Sequence, residues 1–144
     1  MLRFAIALHS LALAAWFGGG IATTLATSAV FARAESRKVA GNMAGAILRR
    51  TNALRAIAAI CFASAILAGA RGPSTWFGGA CFVLQLIAIP IDLATRKIRR
   101  DAGGAMEALD IGDPRRRRFG ALHGIAMLLL LLQVLTSAAG LSAQ

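Results

Sequence analysis

Four ionisable side chains fall within or beside long apolar stretches of this sequence, namely His9, Arg55, Asp92 and His123. An ionisable side chain in a membrane is costly, so it usually has a partner or a function. Histidine is a common metal ligand, and an arginine with an aspartate can form an ion pair. These residue types therefore allow metal or heme ligation, a structural ion pair, or a relay for protons or substrate.

The two histidines, His9 and His123, are weak candidates for a joint metal or heme site. His9 lies near the outer end of the first apolar stretch, and His123 lies near the inner end of the last one. At about 1.5 Å per residue and about 30 Å of hydrocarbon, they are separated by roughly 15–20 Å in depth. A metal needs its ligands within roughly 2–2.3 Å. We therefore expect no metal site and no cofactor.

Arg55, Asp92 and His123 are predicted to lie near the cytoplasmic ends of their spans. An Arg55–Asp92 ion pair would lower the cost of both charges in a medium of low dielectric constant. Alternatively, each side chain reaches the headgroup region, or the group relays a proton or substrate.

A second polar group is predicted nearer the outer surface, where His9, Gln85 and Gln133 would form one layer of interhelical hydrogen bonds. The sequence shows no nucleophile–base pair, paired carboxylates or phosphate-binding glycine loop. We therefore expect a non-catalytic protein.

Composition indicates which elements must position these side chains. The chain has 144 residues, of which 58% are hydrophobic and 15% are charged, against about 25% charged in soluble domains. About 20 apolar residues in a helix cross a bilayer. The sequence therefore predicts an all-α integral membrane four-helix bundle, forming one domain, with spans at about 4–31, 54–70, 75–94 and 119–141.

The basic residues predict the orientation of the bundle. Fourteen of the sixteen lysines and arginines fall in two segments, 32–55 and 95–118. Basic segments stay in the cytoplasm, so both termini are predicted outside, with an amphipathic helix on the cytoplasmic surface before the second span. The first apolar stretch is longer than the apolar part of a signal peptide, about 7–15 residues. We expect it to be retained in a bacterial inner (cytoplasmic) membrane.

The net charge of +10 is interpreted as contact with anionic lipid headgroups, which flanking basic residues attract. The sequence lacks the aromatic and RNA-reading motifs of nucleic-acid-binding proteins, so no nucleic acid partner is expected. The four consecutive arginines at the start of the last span are the predicted headgroup contacts: Arg115, Arg116, Arg117 and Arg118.

Small residues are predicted to let the helices approach closely, because glycines spaced by four permit backbone contact in membranes. Cys61 and Cys81 lie within apolar stretches and are interpreted as packing residues. The predicted helix-packing glycines are Gly18, Gly19, Gly20, Gly41, Gly45, Gly120 and Gly124.

Three short motifs resemble a known family. They are LHSLALAAWFGG at Leu8–Gly19, Ala40–Gly41 with ILRR at Ile47–Arg50, and RFGALHG at Arg118–Gly124. In this order they resemble a bacterial membrane family of unknown function related to eukaryotic transmembrane protein 205. That resemblance implies a four-helix membrane domain without an agreed activity. More distantly, the first motif is similar to the copper resistance D family and to the small heme-binding protoporphyrinogen oxidase of bacteria, which implies copper handling or heme.

Three functions are consistent with these features. The first is a non-catalytic structural or accessory subunit that packs against a larger membrane protein assembly, of a respiratory or photosynthetic type. The second is a copper- or heme-handling membrane protein. The third is a small transporter, which would need a water-filled path reaching Asp92.

Overall fold

Four long helices account for most of the chain. The computed structural model describes residues 2–104, 106 and 109–144. The described residues are all-α and 86% helical, and they contain no β-strand. Each helix is long and apolar enough to cross a membrane, in agreement with the predicted multi-pass four-helix bundle. The helices are α1 (Leu2–Arg33), α2 (Arg37–Leu67), α3 (Ser74–Asp101) and α4 (Pro114–Ser142).

Local sequence explains where two of the helices begin. At the start of α2 the Ser36 hydroxyl accepts a hydrogen bond from the backbone N–H of Val39. At the start of α4 the Asp113 carboxylate accepts one from the backbone N–H of Arg115, and Pro114 occupies the first helical position. Such caps satisfy N–H groups that have no partner within the helix.

The second helix is longer than the predicted second span, about 54–70. It begins at Arg37, so the predicted surface helix and the predicted second span form one continuous helix. Thr51 of this helix shares a 2.5 Å hydrogen bond with Thr23, which lies well inside α1. Arg55, one turn further along α2, therefore lies beside the middle of α1. The placement of Arg55 near the cytoplasmic end of a membrane span stays a prediction.

The arrangement of the helices leaves a cleft on one side. α1 packs along α2 and against α4, and α4 packs along α3, whereas α2 and α3 make few contacts with each other. The largest side chains of the core are Trp16, Leu13 and Phe62, which meet the buried Cys81. Polar side chains of α2 and α3, among them Arg55 and Gln85, line this cleft.

Close contacts between helices occur at a few glycines. A methyl group added to Gly20 would overlap Val134, and one added to Gly140 would lie 2.9 Å from Phe77. The contact at Gly19 is less close, because a methyl group added there would lie 3.2 Å from Leu54. Three predicted packing glycines instead face open space with no atom within 4 Å of an added methyl group: Gly18, Gly120 and Gly124.

Candidate functional site

Arg55 is buried in the interior of the bundle, with 7% of its surface exposed. Its Nε atom donates a 2.7 Å hydrogen bond to Oε1 of Gln133 on α4, and its Nη1 atom donates a longer one, 3.4 Å, to Oδ1 of Asn52. Its Nη2 atom has no hydrogen-bond partner among the described residues. The guanidinium is therefore anchored on one side and unsatisfied on the other.

Gln133 is fully buried and joins three helices. Besides accepting from Arg55 on α2, it donates from Nε2 to the backbone oxygen of Cys81 on α3 at 2.9 Å. Its own backbone oxygen accepts from Ser137 at 2.7 Å and from the Cys81 thiol at 3.6 Å. These contacts fix the Gln133 amide with its oxygen toward Arg55.

Asp92 does not pair with Arg55. Its carboxylate forms a 2.8 Å ion pair with Nη2 of Arg96, which lies one turn further along α3. Both side chains are partly exposed. The sequence hypothesis of an Arg55–Asp92 ion pair is therefore not realised in the structure. Both residues line the same cavity, but Arg55 bonds to Gln133 and Asn52, whereas Asp92 bonds to Arg96.

The predicted outer layer is also divided. Gln133 is occupied by Arg55 and Cys81, whereas Gln85 is buried and its Oε1 atom has no partner among the described residues. His9 is buried and packs against the ring of Phe62 at a centroid distance of 5.7 Å. The structure therefore links Gln133 to Arg55, and it shows no hydrogen bond from Gln133 to His9 or Gln85.

The two histidines lie at opposite ends of the bundle. His9 approaches Gly78 near the start of α3, whereas His123 is exposed, stacks on Phe119 and lies beside Asp92 in a cavity. Gly78 and Asp92 are about 20 Å apart along α3 at 1.5 Å per residue. Among the residues described, no cluster of His, Cys, Asp or Glu has the composition of a metal site. The histidines therefore do not fit a shared copper or heme site.

A cavity of about 350 Å³ lies in the cleft between α2 and α3, and we call it the inner cavity. Its polar wall includes Arg55, Asn52 and Gln85, and its apolar wall includes Leu86 and Ile89. Arg55 and Gln85 both carry a buried polar atom without a partner in the described part of the chain. The inner cavity is thus the place where a polar group of a ligand could satisfy them.

A second cavity, of about 660 Å³, lies between the ends of α2 and α3 that carry the basic residues, and we call it the basic cavity. The two cavities have Leu48, Asp92, Thr95, Arg96 and His123 in common, so they adjoin. The described walls of both cavities together hold one carboxylate, Asp92, and six arginines: Arg37, Arg49, Arg55, Arg96, Arg99 and Arg100.

Arg99 crosses from α3 to α2 at the basic cavity. Its Nη1 atom donates to the backbone oxygen of Gly41 at 2.9 Å, and its Nη2 atom donates to Oδ1 of Asn42 at 2.8 Å. Methyl groups added to Gly41 and Gly45 would lie 3.2 Å and 3.0 Å from this guanidinium. The glycine pair of α2 therefore contacts a long arginine side chain of α3, whereas the sequence predicted close contact with the backbone of another helix.

The arginines at the start of α4 have different surroundings. Arg115 forms a 2.8 Å ion pair with Asp113, and the hydrogen bond from its side chain lowers the pKa of the Asp113 carboxyl below its usual range. Arg116 donates to the backbone oxygen of Leu109 at 2.9 Å. Arg117 and Arg118 are exposed. Contact with lipid headgroups stays a prediction for these four residues.

Sequence reasoning missed the bonding of Arg55 to Gln133 and of Arg99 to Gly41. The sequence shows Arg55 and Gln133 as polar residues in apolar stretches and Arg99 as one of several basic residues at 96–100, and neither pattern indicates which neighbour the side chain meets.

Comparison with known proteins gives no further guide to function. Neither the family models, nor the curated proteins, nor the solved structures contained a match to this chain. The resemblance to the family related to transmembrane protein 205, and to the copper resistance D family, therefore stays a prediction.

Proposed function

We propose that this chain is a non-catalytic multi-pass membrane protein that binds a small molecule in the inner cavity, as a binding protein or small carrier. The observation that carries the proposal is Arg55, a buried arginine on the cavity wall whose Nη2 atom lacks a partner among the described residues. Leaving a charged donor buried and unsatisfied is costly. A bound ligand would supply the missing acceptor.

The connection between the two cavities supports a route to this site. A small transporter of this sequence requires a water-filled path reaching Asp92, and Asp92 lies on the wall of both cavities. Arg55 does not seal Asp92, which is paired with Arg96 instead. In this proposal the basic cavity faces the cytoplasm of a bacterial cell, and a ligand or its polar group reaches Arg55 through it or through the cleft.

Cysteine labelling tests whether the inner cavity is open to water. Ala59 lies on the cavity wall, whereas Ile57 lies two residues away on the exposed outer face of the same helix. In a Cys61→Ala, Cys81→Ser background, we expect Ala59→Cys to react with a membrane-impermeant maleimide in inside-out vesicles. Ile57→Cys should react at least about tenfold more slowly, because a thiol facing lipid is not ionised by water.

Equal labelling of the two positions after denaturation in SDS is the control for thiol integrity. If Ala59→Cys is as unreactive as Ile57→Cys in the folded protein, the cavity holds no water and the proposed function is rejected.

A structural or accessory role is the second candidate, and the exposed glycines of α4 favour it. Gly120 and Gly124 lie one turn apart on a face with open space beside them, and such a spacing permits close contact between membrane helices. The partner would be another membrane subunit, of a respiratory or photosynthetic assembly. Purification in a mild detergent tests this role, since a chain that always runs as a free monomer contradicts it.

A further inference from the structure

The charge of Arg55 is unbalanced within the inner cavity. Its guanidinium hydrogen-bonds to neutral amide groups of Gln133 and Asn52. The carboxylate on the cavity wall, Asp92, is already paired with Arg96 at 2.8 Å. In the part of the chain that the structure describes, the wall of the inner cavity therefore carries two arginines, Arg55 and Arg96, and one carboxylate, Asp92, which leaves one positive charge in excess. At this depth hydrocarbon supplies no counterion.

We infer that Arg55 binds the carboxylate of an amphiphilic organic acid, an inference that rests on the proposed function. A carboxylate carries one negative charge, which matches the single unbalanced charge of the inner cavity. Its two oxygens can accept parallel hydrogen bonds from a guanidinium. Nη2 of Arg55 has no partner among the described residues, and the Nη1 contact with Asn52 is long. These two nitrogens are the edge that a carboxylate would occupy, after neighbouring side chains move to uncover the buried Nη2 atom.

The remaining wall of the inner cavity favours an apolar body attached to that carboxylate. Leu86 and Ile89 line the cavity and are also exposed on the outer surface of α3. A hydrocarbon body would lie against them and extend toward the bilayer, which makes the cleft between α2 and α3 its entrance. A small inorganic anion would leave this apolar wall uncovered, so an amphiphile fits the cavity better.

Gln85 supplies a second polar contact in the same cavity. Its side chain is buried, and its Oε1 atom has no partner in the described structure. An amide oxygen accepts a hydrogen bond from a hydroxyl or N–H group, and the amide nitrogen donates to an oxygen. The ligand class is therefore a monocarboxylic acid with an apolar body, with room for one further polar group beside the carboxylate.

Two ligands that differ only in charge test this inference. The affinities of decanoate and decanamide for the detergent-purified protein are measured from the shift in thermal unfolding temperature during titration. We expect decanoate to bind at least about tenfold more tightly than decanamide, as for a hydrogen bond to a charged group. In Arg55→Gln the ratio of the two affinities should fall to about one.

Arg50→Gln is the matched control, because it removes the same charge from α2 at an exposed position outside both cavities. This variant should keep the ratio of the unmodified protein. Comparing two ligands within one variant separates loss of the carboxylate site from loss of folding, since misfolding weakens both ligands alike. Arg55→Lys keeps the charge without the forked geometry and should give an intermediate ratio.

Equal affinities of decanoate and decanamide for the unmodified protein would overturn the inference. Acetate binding as tightly as decanoate would overturn the assignment of an amphiphile, because acetate has no apolar body. If Ala59→Cys is labelled but decanoate shows no preference, the inference fails and the proposed function stands. If Ala59→Cys is not labelled, both fail.

Discussion

Arg55 is held inside the bundle by an amide rather than by a carboxylate. Its Nε atom bonds to Gln133, whose own amide nitrogen is fixed by the backbone of Cys81. A neutral acceptor leaves the positive charge in place, whereas a carboxylate would cancel it. At the scale of single residues, this choice of partner is what makes the inner cavity a site for an anion.

Two adjacent glycines of α3 allow a matched test of packing. A methyl group on Gly78 would overlap the ring of Phe62 and lie 2.8 Å from Cε1 of His9, whereas a methyl group on Gly79 would meet nothing within 4 Å. We expect Gly78→Ala to lower the free energy of unfolding by about 1–3 kcal/mol, as overpacking does. Gly79→Ala should change it by less than about 1 kcal/mol.

Unfolding of both variants is followed by circular dichroism in detergent as SDS is added. Equal stabilities of Gly78→Ala and Gly79→Ala would contradict the close approach of α3 to Phe62 and His9.

At the scale of elements, α2 and α3 are separated in the bundle but joined at their basic ends. Arg99 bonds to the backbone of Gly41 and to Asn42, and it also donates to the backbone oxygen of Gly104 at 3.4 Å. The contact ties the start of α2 to the end of α3 beside the basic cavity. At one end the opening of the cleft is thus bordered by the hydrogen bonds of Arg99. At the other end it is bordered by the short turn between Leu67 and Ser74.

The start of α4 should depend on pH through Asp113. In the folded chain the pKa of Asp113 is lowered, chiefly by the hydrogen bond from the side chain of Arg115. A lowered folded-state pKa means that the carboxylate stabilises the helix start above the unfolded pKa. This contribution is lost as pH falls through the folded pKa. We therefore expect the first turn of α4 to fray in acid while remaining ordered at neutral pH.

Backbone Cα chemical shifts of residues 114–117, recorded by NMR from neutral to acidic pH, measure this fraying. Asp113→Asn keeps a capping side chain that does not titrate, so its first turn should stay ordered throughout. Asp113→Ala should be frayed at every pH. A pH dependence that persists in Asp113→Asn would assign the effect to another carboxylate of the preceding segment.

At the scale of the whole molecule, the four helices alternate in direction, so both termini lie at the same end of the bundle, where Ser10 bonds to Gln144. The connections between α1 and α2 and between α3 and α4 lie at the opposite end of the bundle. They hold no lysine or arginine themselves, but the helix ends beside them carry most of the basic residues. The positive-inside rule places such segments in the cytoplasm. We predict that both termini face the periplasm.

Single cysteines in the Cys61→Ala, Cys81→Ser background test this topology with an impermeant maleimide. Ala34→Cys and Gly112→Cys should be labelled in inside-out vesicles, and Gln144→Cys should be labelled in intact spheroplasts. Labelling of Gln144→Cys from the cytoplasmic side would refute the predicted orientation.

The sequence by itself determined the number of helices, their capacity to cross a membrane and the start of α4 at Asp113–Pro114. These are local properties, because span length follows from the thickness of the bilayer and a cap follows from one or two residues. The helix α2 runs unbroken from Arg37 to Leu67, so the bounds of the second span within it, at about 54–70, stay a prediction.

Only the tertiary structure decided which side chains meet. Arg55 bonds to Gln133 rather than to Asp92, Arg99 occupies the glycine pair of α2, and the cleft forms between α2 and α3. The physical reason is that such contacts depend on the relative depth and rotation of two helices. Both are set by how whole helix surfaces pack, which no single segment specifies.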